Sequence, residues 1–235
     1  MLQAKKVVLG LLVLLTIGAG VSRADILSGC GTCQGARYAL VYDPSTNVSG
    51  VSMLDKNGNS TTGTVYDVFL FIETTNLAIP TATHVQAVSI KISDYAAIPP
   101  SSLVSAPGGA AGWNFSTGGI NSGGCDGAGA GFICAQDPVP YAATLPHTGV
   151  YFWEFHYATP NSILLGNLAS DIKVQYADAT GTKAGALVSE GITLQECPGC
   201  GPTITPFGTT PEPASIGLFA GVLILTFRSI RKRVA

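Results

Sequence analysis

The chain has 235 residues, of which 46% are hydrophobic and only 11% charged, with 29 glycines and six cysteines. Its formal net charge of −2 conceals an uneven distribution, because seven of the twelve basic residues stand in the first 23 or the last eight positions. Between Asp25 and Thr209 five bases face thirteen acids, a balance of −8 that repels nucleic-acid phosphates and excludes nucleic acid as a partner.

At the N-terminus Lys5 and Lys6 precede an apolar run, Val7–Val21, and Ser22-Arg23-Ala24 places small residues at −3 and −1 of a cut before Asp25. That order reads as a secretory signal peptide over 1–24, a helix addressed to the export machinery. The run is short for an uncleaved anchor. Leu27-Ser28-Gly29-Cys30 has the form of a lipobox, in which Cys30 is acylated, but Arg23 and Asp25 separate it from the apolar run.

The exported segment, 25–202, shows no helical periodicity. Short β-branched and aromatic runs alternate with Gly, Pro, Asn and Ser, and predict strands. They are Ala36–Tyr42, Val48–Leu54, Thr64–Glu73, Val85–Ser93, Gly112–Thr117, Gly149–Tyr157, Asp171–Tyr176 and Ala186–Gln195. Asn57-Gly58 marks a hairpin turn that pairs the second and third of these. Asp55, Asn57 and Asn59 alternate as calcium ligands do, but Ser60 and Tyr66 stand where such a loop needs Gly and Glu, so a turn is favoured. Pro99–Gly131 reads as one large Gly/Ser/Pro-rich loop. The expected fold is mainly β, a single antiparallel β-sandwich or jelly-roll domain.

All six cysteines lie in the exported segment. Cys125 and Cys134 bracket a Gly-rich stretch and predict a small disulfide ring. Cys30-Gly-Thr-Cys33 and Cys197-Pro-Gly-Cys200 leave three arrangements open: two local disulfides, two bridges tying the domain's ends, or a four-thiolate zinc site. An oxidising compartment favours the disulfides over the metal, and neither a metal nor another cofactor is expected.

Tyr151-Phe-Trp153-Glu154-Phe155-His156-Tyr157 is the densest aromatic segment. Strand alternation puts Tyr151, Trp153, Phe155 and Tyr157 on one face, either filling the core or forming a sugar-stacking platform, to which Trp113 would add. Glu154 and His156 share the other face and form a candidate acid–base or ligand-contact pair. Motifs for a serine or zinc hydrolase, a phosphate loop or a dinucleotide site are missing from the sequence. A facing carboxylate pair, the minimum for glycoside hydrolysis, leaves no trace in spacing. The sequons at Asn47, Asn59 and Asn114 are of the number expected in so Ser/Thr-rich a chain.

After a linker, 203–210, the tail has three parts. Pro211-Glu212-Pro213 is followed by an uncharged run, Ala214–Phe227, and then by Arg228, Arg231, Lys232 and Arg233. Its 14 residues make a transmembrane helix of roughly 21 Å, short against a hydrocarbon core of about 30 Å. The basic end is held at the cytoplasmic face. Order, spacing and terminal position resemble the PEP-CTERM sorting signal of exported bacterial proteins. That resemblance implies recognition and cutting of 211–233 by a membrane transpeptidase of the exosortase class. Trp113, Gly118-Gly-Ile-Asn121 and the ring ending Gly131-Phe-Ile-Cys-Ala135 are similar to uncharacterised β-rich domains that accompany this signal. The resemblance carries no activity. The expected role is therefore a surface or exopolysaccharide-associated structural or interaction protein, with a carbohydrate-binding module and a secreted hydrolase as alternatives.

Overall fold

The computed structural model describes residues 27, 30–138, 142–145, 149–160 and 168–200. The predicted signal peptide, linker and sorting signal with its helix lie outside the described residues.

Among the described residues eleven strands are formed: β1 (Arg37–Leu54), β2 (Ser60–Glu73), β3 (His84–Lys91), β4 (Ser102–Ser105), β5 (Asn114–Thr117), β6 (Gly119–Asn121), β7 (Gly124–Gly127), β8 (Phe132–Gln136), β9 (Val150–Thr159), β10 (Leu168–Ala177) and β11 (Lys183–Glu196). Nine of them make one ladder in the order β4-β9-β2-β1-β11-β10-β3-β8-β5, and β6 pairs with β7 alone. The β1–β11 seam is parallel, with Val41 opposite Gln195 and Tyr42 opposite Glu196. The other pairings of the described ladder are antiparallel. One buried cluster draws Leu40, Leu70 and Phe155 from one side of the seam and Val88, Ile133 and Val174 from the other. The ladder is thus folded on itself into two facing layers, a β-sandwich with a continuous core. Each fully buried Leu, Val, Ile or Phe in it stabilises the fold by about 1.5–3 kcal/mol relative to exposure.

Three expectations are corrected. The parallel seam departs from a purely antiparallel sandwich. Ala36–Tyr42 and Val48–Leu54 are parts of one strand, β1, because the Asp43–Asn47 stretch is absorbed as an irregularity in the β1–β2 ladder rather than as a turn. There the Asp43 carboxylate accepts the Ser45 N–H at 2.9 Å and its hydroxyl at 2.6 Å. Finally, Pro99–Gly131 is not one loop: it contains β4 to β7, each only three or four residues long.

The β1–β2 turn forms as expected. Asp55 Oδ1 accepts the backbone N–H groups of Asn57 and Asn59, both at 2.8 Å, and Gly58 takes a positive φ of 81°. An Asx turn, not a calcium loop, explains the alternating Asp55, Asn57 and Asn59.

Candidate functional site

On β9 the alternation is realised. Trp153, Phe155 and Tyr157 are fully buried, and Tyr151 packs at the margin of the same core. Trp113 is 6% exposed, meets Trp153 edge-on at 5.5 Å, and donates its indole N–H to the Pro107 carbonyl at 2.9 Å. Trp113 and Trp153 are therefore corrected from ligand contacts to core residues, since their faces are spent on each other and on the sandwich.

Glu154 and His156 lie on the outer face, where strand register gives His156 two cross-strand neighbours, Asp67 of β2 and Ser102 of β4. His156 Nε2 stands 3.2 Å from Asp67 Oδ1, and Nδ1 stands 3.4 Å from the Ser102 hydroxyl. Burial is the main cause that raises the Glu154 carboxyl above its ordinary range; the Asp67 charge adds to it and His156 offsets it. Sequence spacing found Glu154 and His156 but not Asp67 or Ser102, which only pairing brings beside them. Serine, histidine and aspartate in a row have the composition of a nucleophilic relay. A relay also needs donors aimed at the oxyanion and a pocket for substrate. This row sits on an open sheet face, with the His156 side chain 41% exposed.

The described residues form concave surface elsewhere. Two adjoining clefts of about 630 and 470 Å³ share Lys56, Tyr95 and Ala130. Three segments remote in sequence enclose them: the hairpin tip with Asp55, Lys56 and Asn57, the Asp94-Tyr95 loop, and the Gly127–Phe132 run of the disulfide ring. Gly131 sits at φ +80° with its α-carbon so close to the 93–94 loop that a Cβ would lie 1.9 Å from the Ser93 carbonyl oxygen. Tyr157 pins the two segments from below, donating to the Gly131 carbonyl at 2.6 Å with the Ser93 carbonyl 3.2 Å away. Burial raises its phenol well above the ordinary tyrosine range, so it remains a donor.

The cleft brings together two carboxylates, Asp55 and Asp94. The Asn59 N–H first, then Asn57, the Asn59 amide and the Lys56 charge hold Asp55 below its ordinary value. Asp94 is paired with Lys91 at 3.2 Å. An ionised Asp55 accepts hydrogen bonds; it does not supply the proton that a glycosidic leaving group needs. The chemistry on offer is recognition of hydroxyl and amide groups around the half-buried Tyr95.

The cysteines pair locally: Cys30 with Cys33, Cys125 with Cys134 and Cys197 with Cys200, at Cα separations of 5.1, 5.7 and 5.3 Å. Cys30 thus has its sulfur in a disulfide, not free for acylation, and the two CxxC loops neither bridge nor share a metal. Among the described residues no group of three or more His, Cys, Asp or Glu is placed to hold a metal ion. Cys125–Cys134 fastens the β6–β7 ribbon onto β8 through a small cluster with Ala87 and Ile120. No helix among the described residues is long and apolar enough to cross a membrane. Pro211, Glu212, Pro213, Arg228, Arg231, Lys232 and Arg233 lie outside the described residues.

No family model matches the chain, and no curated protein matches it. Among solved structures it is similar to an uncharacterized protein from Nocardia farcinica with an immunoglobulin-like fold, at a TM-score of 0.34 and 10% identity over 73% of this chain and 91% of that one. It is similar also to the major pilin subunit of Bacillus cereus, at 0.26 and 6% over 68% of this chain and 40% of the pilin. A collagen-binding domain from a Staphylococcus aureus adhesin gives 0.26 and 10% over 66% of this chain and 96% of that one. Likenesses of this degree fix neither a family nor a function.

Proposed function

We propose that the protein is an exported, non-enzymatic interaction protein of the cell surface or extracellular matrix. In this reading the signal at 1–24 directs export, the 214–227 helix holds the chain in the membrane, and an exosortase-type transpeptidase recognises 211–213 and releases it. Three disulfides suit an oxidising compartment outside the cytoplasm.

The observation that carries the interaction part is the double cleft beneath the β1–β2 hairpin tip. It favours a second, narrower reading, a carbohydrate-binding module whose ligand is a polysaccharide of the surrounding matrix. Sugar hydroxyls donate to the ionised Asp55 and accept from Asn57 and Lys56, Tyr95 adds an aromatic residue to both clefts, and the glycine wall admits a ligand close to backbone.

Retention of the purified protein on immobilised acidic, neutral and amino polysaccharides tests the narrower reading. Tyr95→Ala and Asp94→Asn are expected to weaken retention at least tenfold, whereas Glu154→Gln, on the outer face, leaves it unchanged. Failure of the wild-type protein to bind any of them removes the carbohydrate reading. Recovery of the protein from the cytoplasmic fraction of its cells removes the surface reading as well.

A further inference from the structure

The few positive charges of the domain are spent unevenly. Of the five basic residues between Asp25 and Thr209, Arg37 is paired with Glu73 and Lys91 with Asp94. Lys56, Lys173 and Lys183 have no carboxylate within 4.0 Å among the described residues. Two of these three stand at the smaller of the adjoining clefts, that of about 470 Å³. Lys56 lines it, and the Lys173 ammonium lies 4.7 Å from the ring centroid of Phe132, another lining residue. Asp55 and Asp94 belong to the larger cleft; the described residues that line the smaller one include no carboxylate. The two clefts therefore differ in polarity although they share a wall.

Asp55 precedes Lys56 in the chain but is turned to its own hairpin. Its Oδ1 accepts the N–H groups of Asn57 and Asn59, and its Oδ2 accepts the Asn59 side-chain amide at 3.3 Å. Much of the smaller cleft's wall is backbone. The N–H groups of Ala128, Gly129, Ala130 and Gly131, all lining residues, have no hydrogen-bond acceptor among the described residues. Thr117 adds a hydroxyl. A cation, unspent backbone donors and no anion together suit a negatively charged group. The domain's excess of acids does not cancel this. At physiological ionic strength the Debye length is about 8 Å, so the charges at the wall set the field in the cleft. A duplex nucleic acid, with one charge per about 1.7 Å of its axis, needs a row of cations that this surface lacks. An acidic sugar brings its charge one unit at a time, which one or two lysines can match.

We propose that the double cleft selects an acidic polysaccharide, with the carboxylate or sulfate of one sugar unit seated in the smaller cleft against Lys56 and the 128–131 backbone. Lys173 adds to the field there. Asp55 and Asp94 keep the charged group out of the larger cleft, where a neighbouring unit presents hydroxyls to Asp55 and Asn57. The difference in polarity thus fixes which unit of the polymer lies in which cleft. This inference rests on the carbohydrate reading of the site and narrows it to a charged ligand.

The test is retention of the purified full chain on two matched pairs of immobilised polymers: polygalacturonate with its methyl ester, and dextran sulfate with dextran. Each pair shares a backbone and differs in charge. At least one charged polymer should be retained about tenfold more strongly than its neutral partner, the scale of one charge-assisted hydrogen bond. The pair that shows the difference tells carboxylate from sulfate. The ratio should fall to near one in Lys56→Gln, which keeps a donor but not the charge, and at 1 M salt, where the Debye length is about 3 Å. Lys183→Gln, at an exposed lysine that lines neither cleft, should leave the ratio unchanged. A wild-type ratio near one in both pairs, or a ratio that survives Lys56→Gln, overturns the charged-ligand inference and leaves the carbohydrate reading standing. Retention of none of the four polymers overturns it too, and the carbohydrate reading falls with it only if amino and other neutral polysaccharides also fail to retain the protein.

Discussion

Tyr38 of β1 and Tyr176 of β10 hydrogen-bond hydroxyl to hydroxyl, 2.8 Å apart, where the two layers face each other. Both are fully buried, and burial raises both phenols, so the pair stays neutral. Removing one oxygen strands the other among Leu, Val and Ile side chains. Tyr38→Phe or Tyr176→Phe alone is expected to cost about 1–3 kcal/mol, the range for an unsatisfied buried group. The double variant should cost clearly less than the sum, because no polar atom is left without a partner. Urea unfolding of the four proteins closes the cycle. Additive costs would show that each hydroxyl finds another partner.

The Cys125–Cys134 bridge closes a loop with a sequence separation of 9 and fastens the β6–β7 ribbon to β8. Loop-closure entropy assigns it about 2–3 kcal/mol. Replacing both cysteines by Ala is expected to lower stability by that amount and to loosen the cleft wall at 127–131. Hydrogen exchange should therefore accelerate in β6 and β7 but not in β1 or β2. Equal acceleration throughout would mean that the bridge stabilises the sandwich as a whole.

Gly131→Ala meets two obstacles at once. The positive φ costs about 1–2 kcal/mol for an L-residue, and the added methyl would collide with the Ser93 carbonyl. The expected loss exceeds 2 kcal/mol on thermal or chemical unfolding. Gly50, at φ +75° with open space around it, is the control: Gly50→Ala pays the backbone cost alone.

What was legible in the sequence was what repeats locally. Alternation on β9 separates Glu154 and His156 from the core aromatics before any partner is known. Asn57-Gly58 marks a hairpin whose turn needs a positive φ. The parallel seam is not legible, because Tyr42 and Glu196 are remote in the chain and join through two residue pairs and a hydroxyl–carboxylate bond of 2.7 Å. Within 99–131 the expected Gly112–Thr117 strand is realised as β5, whereas β4, β6 and β7 escape because runs of three or four residues show no period. The cleft escapes for the same reason as the seam. Asp55, Tyr95 and Gly131 belong to separate loops, and only the β-ladders and the Tyr157 hydroxyl bring them to one wall.

Glu154 predicts a pH dependence. A carboxyl whose folded pKa is raised binds its proton more tightly in the fold than in the unfolded chain, where it titrates near about 4.3. Stability is therefore lost as pH rises from that value through the folded pKa, and the loss persists at neutral pH. Glu154→Gln removes it. The variant should match the wild type near pH 4 and exceed it at pH 7–8, read as melting temperature against pH. A variant less stable than wild type at neutral pH would show that the ionised carboxylate is favoured in the fold, contrary to its burial beside Asp67.

The tail supplies the last prediction. Under the sorting reading, the prolines disfavour helix at the residues before them and the Glu212 carboxylate resists entry into hydrocarbon, so 211–213 stay outside the membrane while the apolar run enters it. In the same reading Arg228, Arg231, Lys232 and Arg233 hold the far end at the cytoplasmic side. Under the sorting reading, replacing Glu212 by Gln, or both prolines by Ala, leaves export intact, because the N-terminal signal is untouched, and abolishes cutting near 211–213. In the native host the protein should then accumulate as a membrane-bound form that retains its basic tail, detected by mass spectrometry of the C-terminus. Removing the four basic residues should have a different effect, loss of a defined orientation rather than of recognition. Normal processing of the Glu212 and proline variants would refute the sorting reading, and would leave the sandwich and its cleft to be explained without it.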